Sequence, residues 1–337
     1  MKAIVFREFG SPDVLRVEDV PTPAPGPGEV LLQVRAVSVN RTLDLVVRAG
    51  CYAHRPQLPH VLGVDPCGVV VAVGSDVTDR KVGDRLVCQP IAGLTQNRTP
   101  LVLGVHVWGG YAEYVAVPAR ITHLMPNELA FATAAVVARH APLAFTQLRD
   151  RAKVQADEWV LIMGAAGGLG SFAVQIAKHL GCRVIAAAGS DERVEAARRL
   201  GADAGVNYRT QDLTAEVRQV TGGRGVNVVL ENVGDPDLFP RAFAAIARGG
   251  RMVTAGAHGG GAVPLDVKHP YLNRITIIGD PLDTPESYDL TLKLAAEGRL
   301  KALIDQVLPL SEAVHAHRLA EARDGIGKIL LDPTRTA

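Results

Sequence analysis

Residues 158–181 read EWVLIMGAAGGLGSFAVQIAKHLG, and the order of textures in this stretch decides the fold. An apolar run, Trp159 to Met163, has the length and composition of a buried strand. It enters the turn Gly164-Ala165-Ala166-Gly167-Gly168-Leu169-Gly170, and a helical pattern is expected from about Ser171. This is the dinucleotide-binding fingerprint with Ala165 in the first glycine position, followed by Gly167 and Gly170. A bare match to that pattern is weak; here the flanking strand and helix that its mechanism requires are both present. Gly167 lets the backbone approach a pyrophosphate, Gly170 lets helix and strand pack closely, and the helix N-terminus offers N–H groups to phosphates.

Downstream the same alternation continues. RVIAAAG, GVNY, GVNVVLENVG, RMVTAGA and RITIIGD read as strands, separated by helical patterns such as DERVEAARRLGA and LFPRAFAAIARGG. Buried strands alternating with amphipathic helices imply a parallel, doubly wound sheet of about six strands. At the end of the strand after the turn, an acidic residue would hold a ribose diol and select NAD, whereas a nearby cation would accept a 2′-phosphate. The chain has Gly189 and Ser190 there, with Arg193 one turn on, which favours NADPH over NADH. Asp191 stands between them, either as a ribose ligand that would reverse the preference or as a helix N-cap.

Upstream, KAIVFREF, VLLQVRAVSV, GVVVAVG, DRLVCQ and YAEYVAVP are short β-branched runs divided by turn clusters such as PTPAPGPGEV. They predict a small, partly closed barrel. The expected organisation is an α/β chain of two domains: residues 1–124 with 298–337 as the β-rich domain, and 125–297 as the doubly wound one. The tail is too short to fold alone and is expected to return in part to the first domain. A length of 337 residues is enough for two separate cores.

A formal net charge of +1 gives no reason to expect nucleic acid or an anionic membrane as a partner. No run of about 18 apolar residues occurs, and charges interrupt the N-terminal MKAIVFREFG at once, so a cytoplasmic protein is expected. Cys51, Cys67, Cys88 and Cys182 form no CxxC pair and are expected to be reduced, mostly buried thiols.

With this turn, the β-rich segment before it and the runs VNRTLDLVVRAGCY, LGVDPCGVVVAVG and KVGDRL, the chain resembles the medium-chain dehydrogenase/reductase superfamily over nearly its whole length. GAAGGLG and RLGADAGVNY are most similar to its zinc-independent quinone oxidoreductase (zeta-crystallin-like) branch. The resemblance implies a GroES-like barrel domain beside a Rossmann domain. It also implies a small-molecule substrate and a homodimer formed by edge pairing of the RITIIGD strand. Zinc-dependent members carry an early cysteine, a Gly-His-Glu motif and a four-cysteine lobe. This chain has Asn40, then Gly63-Val64-Asp65, and no cysteine in QPIAGLTQNRTPLVLGVHVWGG, so no metal is expected.

The resemblance implies catalytic roles for Asn40, Asp44 and Tyr52. Asn40 or Tyr52 would donate to a carbonyl, Tyr52 or water would deliver a proton, and Asp44 with Arg48 would form an orienting ion pair. The family's asparagine and aspartate stand one residue closer together than Asn40 and Asp44 do. Implied cofactor contacts are Gly164, Ala165, Ala166, Gly167, Gly168, Leu169, Gly170, Gly189, Ser190, Arg193, Tyr208, Asn232, Val233, Gly256, Arg323 and Lys328. Trp108 and Tyr111 are candidate pocket walls, and His140 either lines the pocket or ends a helix. Together these imply NADPH-dependent reduction of a quinone or α,β-unsaturated carbonyl. The alternatives are a zinc-free NAD-dependent alcohol dehydrogenase and a cofactor-sensing protein without turnover.

Overall fold

The computed structural model describes residues 1–94 and 99–336. It divides into two compact units, Met1–Arg139 with Leu303–Ala337, and His140–Ala302. The first division falls later than the expected 124/125 boundary because the helix Phe131–Phe145 begins in the first unit. The C-terminal return likewise begins at Leu303 rather than 298.

The second unit holds a six-stranded sheet in the order Ala204–Asn207, Arg183–Ala188, Trp159–Met163, Val226–Leu230, Ile246–Thr254, Thr276–Gly279. All five pairings are parallel, and Leu161 sits in register between Ile185 and Val229. Strands covered on both faces read as unbroken apolar runs, which is how Trp159–Met163 and Arg183–Ala188 are composed. The helix Gly168–His179 packs on the sheet through Phe172, Ala173 and Ile176, all fully buried. It starts at Gly168, one turn before the expected Ser171, because Gly167 already holds the extended conformation of an N-cap.

In the first unit the long strand Glu29–Ser38 is the spine. It pairs antiparallel with Cys67–Val73, with Tyr114–Pro118 and with the last strand of the chain, Lys328–Asp332. That last strand in turn pairs parallel with Ile304–Pro309. The C-terminal segment thus completes the barrel sheet, and Lys328 is delivered beside residues 38–40. One apolar core, containing Ile4, Phe6, Leu32, Val34, Leu62 and Leu331, fills this unit. Among the described residues, no helix is long and apolar enough to cross a membrane.

At the turn of the second unit, a Cβ on Gly170 would overlap the Gly164 carbonyl oxygen, a backbone atom that cannot move aside. Gly170→Ala is expected to cost about 1–3 kcal/mol of stability through this overpacking. Urea denaturation against the parent checks this, and an unchanged midpoint would refute the close approach.

Candidate active site

In the second unit the glycine turn is closed by hydrogen bonds from Gly167 N to Gly164 O (2.8 Å) and from Ala165 N to Ala187 O (3.1 Å). Gly164 has a φ of 65°, the left-handed region in which glycine is unstrained. No side chain caps the helix that begins at Gly168, so the N–H groups of its first turn are left for a ligand. His140 packs on this turn: a Cβ on Gly168 would lie 2.5 Å from its Nε2. His140 lies within the helix Phe131–Phe145 rather than at its end, with its ring against the turn.

The far end of the strand Arg183–Ala188 shows what surrounds a ribose position. A Cβ on Gly189 would lie 3.1 Å from the Tyr208 hydroxyl and 3.3 Å from Arg209 Nε. Ser190 is the N-cap of Asp191–Arg199, its Oγ accepting from Arg193 N at 3.4 Å. Asp191 is the first helical residue, and its Oδ1 accepts from Asn207 Nδ2 at 2.8 Å. Burial pushes the Tyr208 hydroxyl up from its ordinary value, while the charges of Arg209 and Arg193 pull it down. Two guanidinium charges, opposed by the Asp235 carboxylate, therefore act on this tyrosine. Arg209 was not anticipated, although it directly follows Tyr208.

Asn232 and Val233 follow the strand Val226–Leu230. Asn232 Oδ1 accepts from Ala255 N at 2.8 Å, next to Gly256. Its Nδ2 is buried and has no hydrogen-bond partner among the described residues. Glu231, also buried, holds the next turn by accepting from Val233 N and Gly234 N. A glycine turn at a helix N-terminus, an orphaned buried amide and a cationic end at Gly189 together fit a dinucleotide phosphate.

The first unit holds a buried polar cluster at the end of its spine strand. Asp65 accepts from Ser38 N (2.9 Å), Ser38 Oγ (2.5 Å) and Asn40 Nδ2 (3.1 Å). Asp44 accepts from Asn40 N at 2.7 Å and Gly63 N at 3.1 Å. Asn40 Nδ2 also reaches Ser38 O and Ser38 Oγ, at 3.2 and 3.1 Å. Lys328, half-buried, donates from Nζ to Val39 O at 3.1 Å and to Asn40 Oδ1 at 2.8 Å. Burial and neighbouring Asp65 raise Asp44 to about 7, against the backbone donors and Lys328. Burial lowers Lys328 to about 8, opposed by Asp65 and Asp44 and assisted by Arg139 and Arg41.

Several expectations are corrected here. Asp44 and Arg48 do not pair. Arg48 is buried and directs Nε to Gly10 O, Nη1 to His317 Nδ1 (3.1 Å) and Nη2 to Glu321 Oε1 (2.6 Å). Because the guanidinium only donates, His317 Nδ1 accepts and its Nε2–H points to the Tyr111 hydroxyl at 3.2 Å. Tyr111 is fully buried and bonds to Asp44, so it is not a pocket wall. Asn40 keeps both amide protons inside the cluster, which leaves none to donate to a carbonyl. Lys328, implied by the resemblance as a phosphate or substrate contact, opens a strand and is tied to Asn40. Ser38 and Asp65 are the cluster members that sequence reasoning missed.

Of the remaining candidates, Tyr52 packs half-buried against the barrel core. Trp108 is 41% exposed and bonds to Pro59 O. Arg323 is the exposed, left-handed residue that ends the helix Ala313–Ala322. In the cysteine-free stretch QPIAGLTQNRTPLVLGVHVWGG, residues 95–98 lie outside the described residues.

Comparison with known proteins follows the same division. Residues 26–127 match the alcohol dehydrogenase GroES-like domain, and residues 168–297 match the zinc-binding dehydrogenase model. The chain is 35% identical over 332 residues to an NAD-dependent alcohol dehydrogenase of Sulfolobus acidocaldarius, covering 93% of this chain and 94% of that one. It is 29% identical over 337 residues to the quinone oxidoreductase of Homo sapiens, covering 98% and 97%. A solved structure of an NAD-dependent alcohol dehydrogenase superposes with a TM-score of 0.89 at 37% identity, covering 98% of this chain and 99% of that one.

A zinc-binding model raises the question of whether these residues fit zinc, and they do not. At the position of the first metal ligand, the one usable lone-pair group, Asn40 Oδ1, already accepts from an ammonium. At the second position Val64 is fully buried hydrocarbon. A divalent cation would have to displace Lys328 from beside its own ligand.

A carboxyl whose pKa is higher folded than unfolded stabilises the protein most at low pH and loses that contribution as pH rises through the folded value. For Asp44 the window runs from 3.8 to about 7. Relative to Asp44→Asn, the parent is therefore expected to lose stability between pH 4 and 7, read by denaturant midpoints across that range. A constant difference would mean that Asp44 is ionised throughout.

Proposed function

The chain belongs to the medium-chain dehydrogenase/reductase superfamily, and from that premise we propose that it reduces a conjugated carbonyl compound, a quinone or an enone, with NADPH and without zinc. That it is an oxidoreductase follows from the family. The observation that carries the finer reading is the Lys328–Asn40 pair, which puts a hydrogen-bonded ammonium where a metal ligand would need its lone pair.

The cofactor choice is supported at Gly189. The three atoms nearest a Cβ at Gly189 belong to Tyr208 and Arg209 rather than to a carboxylate, and the charges of Arg209 and Arg193 on that tyrosine are opposed by Asp235. Asp191, the residue that would select NADH, has its carboxylate engaged by Asn207. When bound, NADPH would supply the hydride. The helix N-terminus at Gly168 would hold its pyrophosphate, and Arg193 and Arg209 its 2′-phosphate. The resemblance to the human quinone oxidoreductase supports a conjugated acceptor, in which the electron pair displaced by hydride addition ends on an oxygen.

A homodimer is part of the proposal. Thr276–Gly279 is the edge of its sheet, Ile277 is exposed on it, and Tyr271, Leu272 and Leu282 are exposed nearby in sequence. An apolar edge of this kind is stable in water when paired. Sedimentation at the monomer mass would remove this part of the proposal.

Arg193→Ala and Arg209→Ala are each expected to raise the KM for NADPH about tenfold, since a charged hydrogen bond contributes about 1.5–3 kcal/mol, and to leave NADH use nearly unchanged. The assay follows nicotinamide absorbance against quinones, enones and simple aldehydes, with and without chelator. Chelator-insensitive, NADPH-selective turnover of quinones or enones is the expected outcome. Selective aldehyde or alcohol turnover with NADH would replace the proposal with the dehydrogenase reading.

A further inference from the structure

The barrel cluster contains several polar groups but leaves little free to meet a substrate. Both Asn40 amide protons are committed to Ser38 and Asp65, and the Ser38 hydroxyl proton goes to Asp65. The Tyr111 hydroxyl is fully buried between Asp44 and His317. Lys328 differs from these. Its ammonium has three protons, of which one goes to Val39 O and one to Asn40 Oδ1. The third has no acceptor among the described residues, and the residue as a whole is half-buried.

The ammonium is also held in place. Lys328 opens the last strand, its backbone N donating to Leu303 O at 2.8 Å, and the neighbouring Ile329 O accepts from Val39 N at 2.8 Å. The amide that anchors Nζ is fixed in turn by Ser38 and Asp65. A donor whose orientation is set before substrate arrives is what stabilisation of a developing oxyanion requires.

We propose that Lys328 is a catalytic residue: its ammonium binds the substrate's carbonyl oxygen and gives that oxygen a proton, serving as the fixed cation of a metal-free site. This rests on the reduction of a conjugated carbonyl proposed above. Were a hydride added to the β-carbon to form the new C–H bond, the C=C electron pair would shift to the Cα–C bond and the C=O pair would move onto oxygen. The Lys328 N–H bond then breaks and its proton passes to that oxygen, giving an enol. The enol becomes the saturated ketone by exchanging its O–H proton for a C–H proton at the α-carbon through water. Lys328, now a neutral amine beside Asn40, retakes a proton from water. The charged groups facing Nζ are Asp65 and Asp44, which favour the ammonium, and Arg139 and Arg41, which favour its release. Their balance, with burial, places the lysine near 8, where it both donates and reloads close to neutral pH.

The test has two readouts. With NADP⁺ bound, so that no turnover occurs, 4-nitrophenol serves as the oxyanion mimic and its ionisation is followed by absorbance. An ammonium donor is expected to lower the bound phenol's pKa by about one unit or more. Lys328→Gln, which keeps a donor for Val39 O but removes the charge, should abolish that shift. The same variant should lower kcat for 2-cyclohexen-1-one about 100-fold or more while the NADPH Kd, from nicotinamide fluorescence, changes less than about twofold.

A phenol that binds wild type unshifted, or does not bind, overturns the assignment, as does a Lys328→Gln enzyme with near-parental kcat. The wild-type phenol titration stands even if the variant does not fold. If wild type turns over no quinone or enone, the proposed reaction fails; the phenol shift, read without turnover, still judges Lys328.

Discussion

Two carboxylates, Asp44 and Asp65, are buried in the barrel unit, and much of that unit is arranged around keeping them there. Unpaired charge in such a place costs several kcal/mol, so each oxygen must be met by donors. Asp65 takes the backbone and hydroxyl of Ser38 and the amide of Asn40, which pins the end of the spine strand to the Gly63–Asp65 turn. Asp44 takes the backbone N–H groups of Asn40 and Gly63 and so ties its short helix to the same turn. The compensating cation, Lys328, comes from the other end of the chain. The discontinuous unit therefore has an electrostatic reason as well as a topological one: without the returning strand the pair of carboxylates would lack its ammonium.

This explains which parts of the molecule were legible in the sequence. The phosphate-binding turn is local. Strand, glycines and helix lie within residues 158–181, and each glycine is needed for a reason that its neighbours supply, so reading the residues was nearly equivalent to reading the structure. Even there the helix began at Gly168, because glycines that signal a turn can also form the first turn of a helix when its N–H groups are meant for a ligand.

The barrel cluster is the opposite case. Asn40 meets Asp65 across 25 residues of chain and Lys328 across 288, separations that no motif records. The expected Asp44–Arg48 pair shows how local reasoning fails under burial. Spacing along a helix allowed the pair, but buried Arg48 must satisfy a whole guanidinium, and Gly10 O, His317 and Glu321 do that together. Arg209 carries no signal in the sequence: it follows Tyr208 after the strand Ala204–Asn207, and only the fold brings both beside Gly189.

The choice between an ammonium and a metal also bears on which reactions such a site favours. Zinc polarises an oxygen as a Lewis acid but carries no proton of its own, which suits reversible interconversion of alcohols and carbonyls. An ammonium offers less charge and one transferable proton. Reduction of a conjugated carbonyl leaves an enolate that must be protonated, so a Brønsted acid that also donates a hydrogen bond to the oxygen suits it. On the assignment of Lys328, an ammonium in place of a metal would bias the site toward reduction.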